Sequence, residues 1–206
     1  MSRIDIRNSA IIGFFIALLL VIIQSSGNIP HLSKIPFLQT SLFIFPILAI
    51  SGLYVASLLS KKLPVLLQGT KFLLVGTLNT LLDLGVLNIL IAASGIPSGI
   101  GFSSFKAISF IAAIVNSYFW NKFWTFRSTA SLQQDFNAKR KEFIQFFSIG
   151  GIGFLLNVGS ASFVVNVVKP QFDISPTTWA TVAALIGTFI VLTWNFLGYK
   201  LIVFKR

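Results

Sequence analysis

The sequence contains no cysteine, and it is poor in other residues that carry chemistry. Without cysteine there is no disulfide framework, no thiolate metal site and no cysteine nucleophile. The single histidine, His31, falls in a proline-rich turn, so we expect neither a histidine-based triad nor a zinc site. The sequence also shows no paired carboxylates and no nucleophile beside a base. We therefore predict a protein that is not an enzyme and that holds no metal or cofactor.

Charged residues are scarce too. They make up 10% of the chain, whereas a soluble domain carries about 25%. Hydrophobic residues make up 55%, and the mean hydropathy of +0.86 indicates that the solvent of this protein is mostly lipid. The net charge of +11 could indicate nucleic-acid binding. However, the basic residues lie at the ends of apolar segments, which is typical of contact with membrane lipids, so we predict no nucleic-acid partner.

Six apolar stretches approach the roughly 20 residues that a membrane-spanning helix needs. They are about Ser9–Ser26, Phe37–Leu59, Lys71–Ala93, Phe102–Trp124, Phe143–Val167 and Thr178–Ile202. The sequence thus predicts an all-α integral membrane protein with six transmembrane helices. We expect an N-terminal accessory hairpin of two helices, residues 1–67, and a four-helix domain, residues 68–206, whose two repeats cover about 68–127 and 142–206.

The basic residues are distributed unevenly among the segment ends. If the amino terminus is cytoplasmic, 13 of the 16 basic residues lie inside, and only Lys34, Lys106 and Lys169 lie outside. The positive-inside rule favours this orientation, with both termini in the cytoplasm. The first segment could instead be a signal peptide. No clear Ala-x-Ala cleavage site follows it, so we expect a retained helix in the cytoplasmic membrane.

The first segments of the two repeats share a motif. Lys71 to Asp83 is repeated 74 residues later as Gln145 to Asn157. The corresponding small and polar positions are Gly76, Asn79 and Asp83 in the first copy, and Gly150, Gly153 and Asn157 in the second. Both copies start at the cytoplasmic face, so they are parallel repeats about an axis along the membrane normal.

Asp83 is the acid that falls inside a predicted span, because the other four lie in tails, loops or segment ends. It lies about 18 Å along a helix from Lys71, near the middle of a bilayer. An acid is costly there unless it is neutral, paired or beside water. Two interpretations stay open. Asp83 and Asn79 could form a polar site between the repeats, or Asp83 could bond to an asparagine in a seam where the glycines let helices pack closely.

The second segment of each repeat ends in polar, aromatic and basic residues. These include Asn116, Asn121, Lys122, Trp124 and Arg127 in the first repeat, and Asn195 and Lys200 in the second. One explanation is an aromatic belt with lysines that reach towards the headgroups. The other is a cytoplasmic pocket, in which Lys122, Arg127 and Lys200 bind a phosphate while Asn121 and the aromatic rings contact a sugar.

These motifs resemble the GtrA family, whose membrane domain also occurs in some dolichyl-phosphate mannose synthases. Phe72–Asp83 is similar to the family pattern Phe-Leu-Leu-Val-Gly-x-x-Asn-Thr-x-x-Asp. Asn121–Arg127 and Asn195–Phe204 are similar to the closing signature of each family half. The resemblance covers about Gln68–Arg206. It departs from the family at Ser117 and Tyr199, which replace asparagines, so a strictly symmetric site is not expected.

The resemblance implies a role in cell-surface polysaccharide biosynthesis, with a polyprenyl-phosphate-linked sugar as the substrate to be translocated. The substrate-binding residues that we predict on this basis are Asn79, Asp83, Asn116, Asn121, Lys122, Trp124, Arg127, Asn157, Asn195 and Lys200. Two alternatives stay open. The chain could be a non-transporting membrane anchor for a glycosyltransferase, or a proton-coupled exporter of small cations that uses Asp83. We also expect self-association, because four core helices make a thin wall around a pathway.

Overall fold

The protein is built from α-helices. The computed structural model describes residues 1–29, 35–36, 38–61, 63, 65–125 and 136–198, and only the backbone of 65, 136–143, 145–147, 193 and 195–198. This part of the chain contains six α-helices and no strand. They are α1 (Arg3–Ser25), α2 (Ser41–Leu59), α3 (Val65–Ser94), α4 (Gly99–Trp120), α5 (Phe136–Phe163) and α6 (Pro176–Gly198). Two π-helical segments, π1 (Asn121–Thr125) and π2 (Val164–Val168), continue α4 and α5.

The lengths and composition of these helices confirm an all-α, multi-pass membrane protein. Five described spans are long and apolar enough to cross a membrane, and α6 has a shorter apolar stretch, Pro176–Leu192. The observed bounds differ from the predicted ones mainly at helix starts. α5 begins at Phe136 rather than at Phe143, because the alanine, lysines, arginine and glutamate between them favour helix. The predicted end of the last span, at Ile202, lies outside the described residues.

Local residues set several of the helix ends. Ser2 caps α1: its hydroxyl accepts a hydrogen bond from the Asp5 N–H at 3.1 Å, and the Asp5 carboxylate accepts one from the Ser2 N–H at 3.2 Å. α3 ends before Gly95, whose φ of +71° is readily adopted by glycine. At the start of α6, the Ser175 hydroxyl accepts a hydrogen bond from the Thr178 N–H at 3.2 Å. Side chains near the helix ends therefore satisfy backbone donors that the helices leave unpaired.

The chain forms two compact units. Unit 1 comprises Met1–Gly85 and Ala112–Arg127, and unit 2 comprises Val86–Ile111 and Ser128–Arg206. In unit 1, α1 packs against α2, and both share one hydrophobic core with the first part of α3 and with π1. That core contains Ile12, Ile16, Leu19, Leu53, Val75, Leu78 and Trp124. In unit 2, α5 packs against α6.

Two glycines permit close helix packing within the units. A Cβ at Gly13 of α1 would lie 2.6 Å from the Phe45 carbonyl oxygen and 2.7 Å from the Pro46 Cα of α2. A Cβ at Gly187 of α6 would lie 2.7 Å from the Asn157 carbonyl oxygen of α5. Gly76, for which close packing was one interpretation, differs from these two, since a Cβ there would meet no atom within 4 Å in the described part of the chain.

Alanine substitutions at these three glycines should therefore have different effects on the free energy of unfolding. We expect Gly13→Ala and Gly187→Ala to lower the free energy of unfolding by about 1–3 kcal/mol each, because the added methyl overlaps backbone atoms that cannot rotate away. Gly76→Ala should leave it unchanged or raise it by up to about 1 kcal/mol, since alanine favours helix. Thermal unfolding of the three variants in detergent measures the difference. Equal melting temperatures for all three would contradict the packing geometry.

Candidate functional site

π1 holds two polar side chains in a buried position. Asn121 and Thr125 are 9% and 6% exposed. The Asn121 amide donates a hydrogen bond to the Ser117 hydroxyl at 3.1 Å, but Asn121 Oδ1 and Thr125 Oγ1 have no partner among the described residues. A buried polar atom without a partner costs about 1–3 kcal/mol and is uncommon. π-helical turns are frequent at functional sites, so these two atoms mark π1 as a candidate binding site.

Lys122 adds a positive charge to π1. Its side chain is exposed, and its Nζ donates a hydrogen bond to the Tyr118 Oη at 2.6 Å while lying 5.0 Å from the centre of the Tyr118 ring. Phe119 and Phe123 are exposed and stacked, with ring centres 6.1 Å apart. Exposed rings of this kind are typical of a lipid-facing aromatic belt. Lys122 therefore offers an accessible side chain with a positive charge in the same short segment as the buried polar pair.

The structure joins two further predicted site residues in unit 1. The Asn116 Nδ2 of α4 donates a hydrogen bond to the Asn79 Oδ1 of α3 at 2.6 Å. Asp83 lies one helical turn after Asn79 and is 3% exposed. Residues four apart share one face of a helix, so Asn79 and Asp83 lie on the same face of α3. The predicted intramembrane acid is thus buried, and it lies one turn from a hydrogen bond between the side-chain amides of two helices.

A buried ion pair in unit 1 escaped the sequence analysis. Asp5 Oδ1 lies 2.5 Å from Lys71 Nζ and accepts a hydrogen bond from Trp124 Nε1 at 3.1 Å. Lys71 Nζ also lies 5.4 Å from the centre of the Trp124 ring. The cluster joins α1, α3 and π1, so it ties the N-terminal hairpin to the segment that carries Asn121. Ser2-x-x-Asp5 signals a helix cap, but no local pattern reveals a partner that lies 66 residues away.

These contacts define the position of Trp124. The side chain is 4% exposed and packs edge-to-face on Trp120, with ring centres 5.9 Å apart. Its indole N–H donates a hydrogen bond to Asp5, and the Lys71 ammonium lies over its ring. In this structure Trp124 therefore fixes π1 against the helices of unit 1. The aromatic residues with exposed faces near π1 are Phe119 and Phe123.

Unit 2 contains a second buried charge that was not anticipated. Lys106, which the orientation count assigned to the extracytoplasmic side, is fully buried in α4. Asn88 and Ser109 are also fully buried, and Thr181 is 3% exposed. The Ser109 hydroxyl donates to the Lys106 carbonyl oxygen at 3.0 Å, and the Thr181 hydroxyl donates to Asn88 Oδ1 at 3.1 Å. The signal was available in the sequence, because Lys106 lies within the predicted fourth span, where charged residues are usually functional.

Of the four remaining predicted site residues, the structure describes the side chain of one. Asn157 of α5 is 1% exposed, and its Oδ1 has no hydrogen-bond partner in the described part of the chain. Arg127 and Lys200 lie outside the described residues, and only the backbone of Asn195 is described. The structure therefore places predicted site residues on α3, α4 and π1 of unit 1, and a buried amide on α5 of unit 2.

The helices and their buried polar groups define a multi-pass membrane protein. The chain belongs to the family described as GtrA/DPMS, transmembrane domain, whose sequence model matches residues 71–204, about two thirds of the chain. This match confirms the resemblance and makes the chain a membrane protein of glycan biosynthesis. Domains of this kind are generally non-catalytic membrane components. No curated protein and no solved structure matches the chain.

The family match also separates the chain into a shared part and an extension. The match begins at Lys71, so α1 and α2 precede it. Lys71 is the residue that pairs with Asp5 of α1. The extension is therefore joined by an ion pair to the first residue of the matched domain.

Proposed function

We propose that this protein translocates polyprenyl-phosphate-linked sugars across the cytoplasmic membrane, and that it binds the head of the substrate at π1. The observation that carries the proposal is the pair of buried atoms Asn121 Oδ1 and Thr125 Oγ1, which have no partner among the described residues, in the same short segment as the exposed side chain of Lys122. Membership of a family of glycan biosynthesis supports this substrate class.

The three groups match the chemistry of a phosphate-linked sugar. Asn121 Oδ1 is an acceptor, so it can take a hydrogen bond from a sugar hydroxyl. The Thr125 hydroxyl can donate to a phosphate oxygen, and Lys122 can supply a charge-assisted bond to the same group. The polyprenyl tail would stay in lipid beside Phe119 and Phe123. Arg127 and Lys200 remain predicted contributors of charge.

Other polar groups in unit 1 lie along the direction in which the head would move. Asn116 lies five residues before Asn121, or about 7.5 Å along the helix. It is bonded to Asn79, and the buried Asp83 follows Asn79 by one turn. This series would replace the water that the sugar hydroxyls lose when they enter the apolar phase. In this proposal Asp83 serves as a hydrogen-bonding group deep in the membrane.

The direction of transport follows from the orientation that we propose. The excess of basic residues at one set of helix ends supports a cytoplasmic location for both termini and for π1. The head would then be captured from the cytoplasmic leaflet, where the phosphate meets Lys122, and released on the other side. Labelling of introduced single cysteines from each side tests this orientation directly, because the natural chain has none.

The purified chain alone should move a fluorescent polyprenyl phosphate sugar between the leaflets of proteoliposomes. Translocation is measured as the fraction of label that an externally added, membrane-impermeant quencher can reach over time. We expect rates well above those of liposomes without protein. Absence of movement by the chain alone, together with co-purification of a glycosyltransferase, would favour the non-transporting anchor instead. Uptake of an organic cation that is lost in Asp83→Asn would favour the exporter.

A further inference from the structure

A pocket in unit 2 is separate from the residues proposed to capture the head. It lies where π2 and the start of α6 meet the turn between α3 and α4, and it has a volume of about 250 Å³. Its lining includes Pro97, Ser98, Asn166, Lys169, Pro176 and Trp179. Pockets for drug-sized ligands usually measure about 300–1,000 Å³, so this cavity suits a smaller group. None of the residues predicted to bind substrate is among these.

The wall of the pocket is held in place by Asn166 of π2. Its Oδ1 accepts a hydrogen bond from the Gly99 N–H, the first of α4, at 2.6 Å. Its Nδ2 lies 3.5 Å from the Ser103 hydroxyl, to which it donates. These hydrogen bonds join π2 to the first residues of α4. Because the side chain is already used on both sides, Asn166 shapes the cavity and leaves recognition to other residues.

Trp179 gives the pocket a rigid apolar surface. It is 8% exposed, and its Nε1 donates a hydrogen bond to the Val164 carbonyl oxygen of π2 at 3.2 Å. The indole donor is therefore satisfied, and what the ring can offer a ligand is its apolar surface. Together with the rings of Pro97 and Pro176, this surface suits the C–H side of a sugar ring.

Lys169 supplies the charge of the pocket from a strained backbone. Its φ of 60° and ψ of 169° fall in a region that only glycine adopts readily. The side chain is exposed and forms no ion pair with any described residue, including Asp173 in the same loop. A glycine would relieve the strain at this position. Phe172 and Asp173 in the same loop also have positive φ, so the assignment of Lys169 depends on its charge and its place in the pocket lining.

We propose that this pocket binds the head of a hexose phosphate linked to an isoprenyl chain, with Lys169 on the phosphate and Trp179 on the sugar. The proposal rests on the proposed function, and in the proposed orientation it places a second head-binding site at the extracytoplasmic face. Binding at this site would hold the translocated head before release. The cation and the adjacent rings recognise the two parts of one ligand.

The absence of natural cysteine permits a local binding assay. In nanodiscs, Ser98→Cys places a single thiol in the pocket lining, and Ile100→Cys places one on an 86% exposed control position outside that lining. We expect geranyl-phosphoryl glucose, mannose or galactose to slow maleimide labelling of Ser98→Cys at least about fivefold at saturation, with no effect on Ile100→Cys. No protection by any of the three probes, or equal protection of both thiols, would overturn the proposal.

Substitutions at Lys169 separate recognition from structure. In the Ser98→Cys background, Lys169→Gly should weaken protection about tenfold, the loss expected for one charge-assisted hydrogen bond, without lowering the melting temperature. Lys169→Arg should retain protection. Unchanged protection in Lys169→Gly would contradict the assigned role of the lysine. Inorganic phosphate and nanodiscs that contain phosphatidylglycerol provide the comparison for phosphate alone and for an ordinary lipid head. Equal protection by either would overturn the sugar assignment.

Measuring translocation with the Ser98→Cys variant as well distinguishes failure of the pocket assignment from failure of the transport function. Protection of Ser98→Cys without translocation would leave the pocket assignment standing and overturn the transport function. Translocation without protection would do the reverse.

Discussion

Replacing Thr125 with valine is expected to slow translocation about tenfold while making the protein more stable. Thr125 Oγ1 is buried and has no hydrogen-bond partner in the described part of the chain. Valine has nearly the same shape and removes the unpaired hydroxyl, so the free energy of unfolding should rise by about 1 kcal/mol. If that hydroxyl donates to the phosphate of the substrate, its loss removes a charge-assisted bond worth about 1.5–3 kcal/mol. The opposite signs of the two effects distinguish a binding residue from a packing residue.

Asn121→Leu extends this prediction to the other unpartnered atom. The double variant Asn121→Leu with Thr125→Val should lower the translocation rate about a hundredfold if the two losses add. Proteoliposome translocation and thermal unfolding in detergent measure the two effects on the same preparations. A double variant that transports at the original rate would remove π1 from the proposed site.

Ser162→Ala provides the matched control. Ser162 Oγ is another buried hydroxyl oxygen without a partner among the described residues, but it belongs to α5 of unit 2, whereas π1 belongs to unit 1. Its removal should raise stability to a similar extent, by about 1 kcal/mol, and should leave translocation unchanged. If Ser162→Ala also slows transport, the effect of Thr125→Val cannot be assigned to contact with the substrate.

The second large effect is expected at the ion pair between Asp5 and Lys71. Asp5→Asn keeps a side-chain acceptor for the cap of α1 but leaves the Lys71 ammonium without its counter-charge, with that side chain 14% exposed. Removing one partner of a buried pair typically costs about 3–5 kcal/mol. We expect a loss near the lower end, about 3 kcal/mol, because the Trp124 ring still faces the ammonium. The melting temperature in detergent measures this loss.

A double variant tests whether the loss comes from the unpaired charge. Lys71→Met replaces the ammonium by an apolar side chain of similar length, so Asp5→Asn with Lys71→Met should recover most of the stability lost in Asp5→Asn. Asp173→Asn, at an exposed acid in the loop before α6, should change stability by less than about 0.5 kcal/mol. A double variant as unstable as the sum of the two single variants would contradict a direct pair.

The ion pair also gives the N-terminal hairpin a testable role. α1 precedes the family match, yet Asp5 contacts both Lys71 and Trp124, which lies in π1 with Asn121 and Thr125. Displacement of Trp124 in Asp5→Asn would therefore disturb the proposed head-binding site as well as stability. The hairpin in this structure braces the segment to which we assign the substrate.

Much of the fold follows from the sequence because lipid imposes one strong rule. A chain that crosses the apolar phase must pair its own backbone groups, so an apolar run such as Ser41–Leu59 forms a helix whatever its neighbours are. The same rule singled out Asp83, since an acid in such a run is costly unless it is neutral, paired or beside water. The family motif from Phe72 to Asp83 could also be recognised from the sequence, because it depends on the spacing of residues along one helix.

The sequence by itself thus determined the class of the protein, most of its helices, its family and the location of Asp83 inside a span. Tertiary structure decided which groups meet: Asp5 with Lys71, Asn79 with Asn116, and Asn166 with the start of α4. It also decided that Lys106 is buried, and that Asn121 Oδ1 and Thr125 Oγ1 have no hydrogen-bond partner in the described part of the chain. Hydropathy and helical periodicity describe the secondary structure and burial of one segment, and they contain no information on which segments are in contact. The partner of a polar group depends on helices that are distant in sequence and adjacent in space, so only the folded chain specifies it.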